Sequence, residues 1–420
     1  RTRYRETMSD SSQRSRVQEG ILIDRSVWKT PRIWCLAVAE TLAWAGLLYL
    51  FPALLLRWES DFEWGRVALS GGLTSALVIA AVTGVFVGRL IDRGHGRMLM
   101  TTSALVGAGL IAVLPVIDHL WQFYLIWCLV GVMMAGCLYE PCFAVVTRQF
   151  GSAAKQPIIL ITLVAGFAGT LCFPLATSIA DAWGWRTSVW VFSLLVGGVA
   201  APLFWLGVGP GASESAVRRP PVSVGFMEAA RPVLSRPIFW LLAIAFGALS
   251  LNHGMIISHA LPLMESRGVS PGVAVLAASL FGVAQVIGRL CLLGFNPRIS
   301  LVSVCGWAFA ALCLASVSLA AASAALIFLF LFVGLQGGGV GIQTIAKPVV
   351  TAEVLGRTHF GTISALVSFA YILGWAFAPS VAGIVWALSG YTAVLKVTFG
   401  LGLLGLLCVC LTIYGSRRQS

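Results

Sequence analysis

Charge is what this chain lacks most. Only 10% of its 420 residues are Asp, Glu, Lys or Arg, less than half of the roughly 25% found in a soluble domain. That scarcity, set beside 58% hydrophobic residues and a mean hydropathy of +0.91, excludes a soluble enzyme, a disordered regulator and a nucleic-acid-binding domain. No Cys-x-x-Cys pair occurs, and all ten cysteines fall in apolar stretches. They are expected to be small helix-packing residues, not metal ligands or disulfide partners. No phosphate-binding glycine loop, nucleophile–base pair or ATP-binding domain is evident, so neither catalysis nor a cofactor is expected. What the chain does have is apolar runs of about 20 residues. Barrel strands alternate over ~10 residues instead, which leaves an all-α, multi-pass membrane protein in contact with lipid.

Twelve spans are predicted, at 33–56, 67–88, 98–117, 120–146, 157–179, 187–208, 237–258, 272–294, 300–319, 324–346, 361–383 and 392–414. Most are long enough to cross a ~30 Å core at about 1.5 Å per residue. With the N-terminus in the cytoplasm, 22 Lys and Arg residues fall on that side, five fall on the other, and Arg289 lies within the membrane. This bias predicts both termini to be cytoplasmic. Segment 209–236 is the longest polar interior stretch, rich in Gly, Pro, Ser and Arg, and reads as a linker. The predicted plan is a cytoplasmic tail (1–32), a six-helix bundle (33–208), a cytoplasmic central loop (209–236), a second six-helix bundle (237–414) and a short cytoplasmic tail (415–420). The halves echo each other: Gly88-Arg89-Leu90 and Gly288-Arg289-Leu290 are 200 residues apart. Twofold internal repetition is a common plan in secondary transporters.

The loop after the second span reads Gly88-Arg89-Leu90-Ile91-Asp92-Arg93-Gly94-His95-Gly96-Arg97. It is a short basic turn with one acid. Asp92 is suited to accept from helix N-terminal amides or to pair with Arg93 or Arg97, which suits a latch. Gly88, Asp92, Arg93, Gly96 and Arg97 are therefore candidate gating residues. This loop resembles the signature between the second and third helices of the major facilitator superfamily. With twelve spans split six and six, the resemblance covers the whole chain. It implies two pseudo-symmetric six-helix bundles that rock about a substrate cavity between them.

A narrower resemblance rests on Tyr49-Leu50-Phe51-Pro52 and on Gln285-Val286-Ile287-Gly288-Arg289. These are similar to the monocarboxylate transporter and oxalate/formate exchanger branch. There a span-8 arginine, matching Arg289, binds the substrate carboxylate. The chain departs from the animal members at Ala53, where they carry lysine, and at Gln285, where they carry aspartate. Proton coupling through that aspartate does not carry over. The Gly-Pro-rich span-5 motif of proton-driven drug exporters is replaced by Ala165-Gly166-Phe167-Ala168-Gly169-Thr170.

Charged groups inside a bilayer are functional candidates by default. Arg289 lies nine residues before Arg298, about 13 Å along a straight helix, where a guanidinium can take a carboxylate through two parallel hydrogen bonds. The alternative is a degenerate copy of the loop signature, snorkelling to the surface. Gln285, one turn earlier, is placed to orient it. Glu40 in span 1 is either a proton carrier or a structural partner for a neighbouring helix. Glu140, before Pro141, marks an irregular point in span 4, where it can bond a freed amide, pair with Arg148 or take part in coupling. Asn252, His253 and Gly254 suggest an interruption of span 7, with His253 a further titratable candidate. Gln336 and Gln343 share a face of the glycine-rich span 10, and Tyr49 and Tyr371 are candidate cavity hydroxyls. Trp58, Trp64, Trp183 and Trp185 read as interfacial anchors.

Two functions follow as expectations. One is secondary transport of a small organic anion, by proton symport or exchange for a counter-anion, in a bacterial inner membrane and as a monomer. The other is proton-coupled export of amphiphilic or toxic compounds, with Glu40 and Glu140 dominant.

Overall fold

A computed structural model describes residues 29–209, 231–293, 300–356 and 360–417. Among the described residues, eleven helices are long and apolar enough to cross a membrane, and the last of them is two helices joined at a kink. In chain order they are α1 (Pro31–Phe62), α2 (Arg66–Asp92), α3 (Gly96–Val116), α4 (Leu120–Phe150), α5 (Gln156–Trp183), α6 (Trp185–Gly207), α7 (Pro237–Ser258), α8 (Pro271–Leu293), α9 (Leu301–Ala320) and α10 (Leu326–Leu355). Phe360–Arg417 divides at Ser389 and Gly390 into α11 (360–388) and α12 (391–417). Gly390 takes φ 71° and ψ −178°, a backbone conformation closed to side chains with a Cβ. Even crossing numbers return the start of α1 and the end of α12 to one face, the terminal face. The opposite one is the distal face.

Proline begins α1 at Pro31, α7 at Pro237 and α8 at Pro271. The first turn of a helix has no use for the missing N–H. Three spans are irregular. α1 carries a π-turn at Ala45–Tyr49. α4 breaks where Leu138 is extended, just before Glu140-Pro141. α5 breaks at Gly166 and Phe167. By contrast, α7 runs unbroken through Asn252, His253 and Gly254. The interruption expected there is absent, because Gly254 serves helix packing: a Cβ on it would sit 2.5 Å from that of Ala378 in α11.

Two bundles of six helices meet along two seams, α2 against α11 and α5 against α8. Backbone contact sets the spacing of the second. A Cβ on Gly282 would lie 2.2 Å from the Gly166 carbonyl oxygen. Within the second bundle, Gly288 and Gly341 bring α8 and α10 equally close; a Cβ on either would lie within 2.3 Å of a carbonyl oxygen of the partner helix. Small residues do this work in lipid, where helices gain little from apolar burial alone. Trp58 and Trp185, expected as interfacial anchors, are buried with Phe51, Phe123 and Trp127 in an aromatic core. Trp183, by contrast, is 70% exposed.

Candidate functional site

The two bundles present different chemistry to the cleft between them. From the second bundle comes Arg289, near the terminal end of α8 and only 8% exposed. Its Nη1 donates to the Thr162 carbonyl of α5, 2.8 Å away in the other bundle. The same carbonyl accepts the Gly166 amide at the end of the half-helix, so Arg289 places a cation at a helix C-terminus. Tyr49, Tyr139 and Tyr371 all lie within its electrostatic reach. No ion pair to Arg289 occurs among the described residues. The snorkelling alternative does not describe this side chain, which is turned into the bundle interface.

The first bundle supplies acids and aromatics. Glu140 opens the half-helix after the α4 break, where the helix dipole favours an acid. It is exposed yet within reach of Lys347 and Tyr371 across the interface, so its exposure is onto the cleft. Trp44 packs against Tyr139 at 4.7 Å between ring centroids, and Tyr139 stacks on Phe143 at 5.0 Å. Behind this wall lies Glu40, fully buried. Trp44 and Cys142 flank its carboxyl, but neither oxygen completes a hydrogen bond.

Lys347, one residue past the predicted end of span 10, lies within α10, with its Nζ 4.1 Å from the centroid of the Tyr371 ring. Span 10 was expected to end at 346, but the helix continues to Leu355. Pro348 reads in the sequence as a helix stop, yet α10 runs through it as far as Leu355. The cleft therefore holds two cations on its second-bundle wall and an acid on the other.

Several predicted site residues face elsewhere. Asn252 donates to the Thr398 carbonyl at 2.7 Å and accepts from Gln336 at 2.9 Å. Gln343 donates to the Cys305 carbonyl at 3.1 Å. All three are buried inside the second bundle, where they join α7, α9, α10 and α12. Gln285 meets His253 Nε2 at 3.4 Å and so does not orient Arg289. His253 sits against Trp375, 5.7 Å between centroids, with Nδ1 unbonded. Distal to the site, the bundles close on an apolar void of about 10 Å³ lined by Leu48, Pro52, Leu77, Gly254, Ile257 and Trp375, room for about one water probe.

Of the candidate gating residues, the Asp92 side chain lies outside the described ones, as does that of Arg89. Arg93 is exposed. Gly96 packs on Val145 of α4, and a Cβ on Gly88 would meet nothing within 4 Å. Arg97 is committed within its own bundle. It lies 3.8 Å over the Trp205 ring and donates Nε to the Trp205 carbonyl at 2.8 Å.

Residues 33–299 match the family described as the Major Facilitator Superfamily. The chain belongs to this superfamily. The transporter's fold is similar to that of a bacterial homologue of the human lysosomal transporter Spinster, solved in an inward-facing and occupied conformation. That likeness has a TM-score of 0.67 at 14% identity and covers 92% of this chain and 96% of the other. The nucleoside transporter NupG is also similar, with a TM-score of 0.71 at 12% identity, covering 91% and 98% respectively. A comparison with curated protein sequences gives no match. At these identities the likeness establishes the fold and leaves the cargo to be argued from the site.

Proposed function

We propose that the protein carries a small organic anion of the monocarboxylate type by alternating access, as a proton symporter or anion exchanger. The observation that carries this reading is Arg289: a buried guanidinium between two bundles, with three tyrosines within its electrostatic reach and a backbone carbonyl as its acceptor. A carboxylate is a stronger, bidentate acceptor than that carbonyl. Its binding would release Thr162 and loosen the α5–α8 seam, so cargo and conformation are linked through one side chain. We assign 33–208 and 237–414 as the moving bodies, joined by 209–236. The positive-inside bias supports a cytoplasmic terminal face in a bacterial inner-membrane monomer.

Thermal stability of the purified protein tests the reading, because a ligand that binds only the folded form raises its melting temperature. Lactate, pyruvate, acetate, formate and oxalate form the panel. At least one is expected to stabilise the wild type and to leave Arg289→Gln unmoved. Stabilisation retained in that variant contradicts the assignment.

A second reading is export of amphiphilic compounds, favoured by the unbonded Glu40 carboxyl beside the Trp44–Tyr139–Phe143 wall. Under it, Glu40→Gln abolishes the resistance that the protein confers on a sensitised host, and Arg289→Gln has little effect.

A further inference from the structure

The distal end of the α2–α11 seam contains a chain of bonded side chains whose hydrogens can be assigned. Arg66 opens α2 and is held by Glu59 of α1. Its Nη1 donates to Tyr391 Oη at 2.7 Å, and its guanidinium carbon lies 4.3 Å from the centroid of the Trp386 ring. Tyr391 and Trp386 belong to the second bundle. Tyr391 Oη lies 3.0 Å from His259 Nδ1, and His259 Nε2 lies 3.1 Å from Ser70 Oγ, back on α2. His259 and Ser70 are both fully buried. The chain thus leaves the first bundle at Arg66, crosses Tyr391 and His259, and returns at Ser70.

One tautomer places every hydrogen of the chain. A guanidinium only donates, so Tyr391 Oη accepts from Arg66; with Nδ1 unprotonated, the single Tyr391 hydrogen goes to Nδ1 and Nε2–H is left to donate to Ser70 Oγ. This arrangement holds His259 neutral. A proton on Nδ1 removes the acceptor for Tyr391 and sets an imidazolium beside Arg66.

The charged surroundings offer that imidazolium no partner. From α2 it faces Arg66. From α1 come Glu59, already bonded to Arg66, and Arg57, paired with Asp181 at 2.5 Å. Beyond His259 on its own segment are Glu265 and Arg267. Burial pushes the Glu265 carboxyl above its ordinary range, opposed by Arg57 and Arg66. Arg267 donates to Thr392 at 3.0 Å. From α12 comes Tyr391. No carboxylate bonds to His259 among the described residues.

We propose that His259 is a proton-binding site that pins the distal gate: neutral, it ties α2 to the second bundle through Ser70 and Tyr391, and protonated, it releases them. The site differs from Glu40, Glu140 and His253 and does not depend on what the cargo is. The sign follows from the hydrogen-bond chain. The closed distal end is favoured at alkaline pH and weakened as pH falls through the range in which a released imidazole, of ordinary pKa about 6.5, takes up its proton.

Electron–electron distance measurement between the bundles tests this directly. Ketone-bearing amino acids at the exposed positions Glu63 and Ser270 take spin labels and leave the ten cysteines in place. The full chain is reconstituted in lipid nanodiscs at pH 8 and pH 5. The wild type is expected to show one short distance at pH 8 and a longer population at pH 5, with the open-to-closed ratio rising about tenfold. His259→Asn keeps a neutral acceptor and is expected to stay short at both values. Tyr391→Phe is expected to show the long population at both. A wild-type distribution that does not move with pH overturns the proposal, as does a full pH response in His259→Asn. If His259→Asn fails to insert, Tyr391→Phe decides: a short distribution with the wild-type pH response contradicts the pin.

Discussion

The two ends of the cleft are bounded by the same helices and held by different forces. At the distal end, α2 is bonded to the second bundle through Arg66, Ser70 and Thr74, the last meeting Ser380 at 2.8 Å. These are short, directed bonds between buried and half-buried groups, which lose most of their value when stretched by an ångström. At the terminal end, Glu140 and Lys347 face each other from opposite bundles with no ion pair between them among the described residues, and Lys347 rests on Tyr371. Charge acts over a longer range and with little directionality. The distal end is therefore held by several directed bonds. The terminal end has one from Arg289 to the Thr162 carbonyl, beside charges that face each other across the seam.

The strongest way to break this contrast is to prop the seams apart. Gly282→Val places a branched side chain where even a Cβ would be 2.2 Å from the Gly166 carbonyl. Transport is expected to be lost entirely, with a destabilisation of about 1–3 kcal/mol from overpacking, read by thermal melting alongside uptake. A smaller effect tests the charged end. Lys347→Gln removes one of two cations and is expected to raise the apparent KM for anions about tenfold, equivalent to about 1.4 kcal/mol, with the maximal rate retained. Kinetics that match the wild type would confine anion recognition to Arg289. The smallest change sharpens the distal end. Ser70→Ala deletes one neutral hydrogen bond, worth about 1 kcal/mol, a roughly fivefold shift toward the distal-open state, visible in the distances between the labels at Glu63 and Ser270.

Most of the fold was legible in the sequence, and the site less so. The span predicted at 237–258 coincides with Pro237–Ser258 because a long apolar run bounded by Arg236-Pro237 has few alternatives. Arg289, Tyr49, Glu140 and Tyr371 were named, and Tyr371 lies within electrostatic reach of the other three. Asn252, Gln336 and Gln343 were named too and lie inside the second bundle instead. A polar residue in an apolar helix must find a partner, but helical period alone does not say whether that partner is the cargo or the next helix. Lys347 was counted with the cytoplasmic loops, and His259 and Tyr391 went unnoticed, for the opposite reason. They lie near span ends, where charge and polarity are expected at the lipid–water boundary. Their roles follow only from the helix that reaches past the predicted end and from the neighbours it meets.

The central claim is that Arg289 holds an anionic cargo between the bundles. Counterflow in proteoliposomes measures it most directly, with labelled lactate, pyruvate, acetate, formate and oxalate, and with wild type and Arg289→Gln reconstituted side by side. The account predicts accumulation of at least one anion by the wild type and a loss of about a hundredfold or more in the variant, in line with losing a buried charged pair worth about 3–5 kcal/mol. Equal accumulation by a folded Arg289→Gln protein, or none by the wild type, would contradict it and move the site to Glu40 and Glu140.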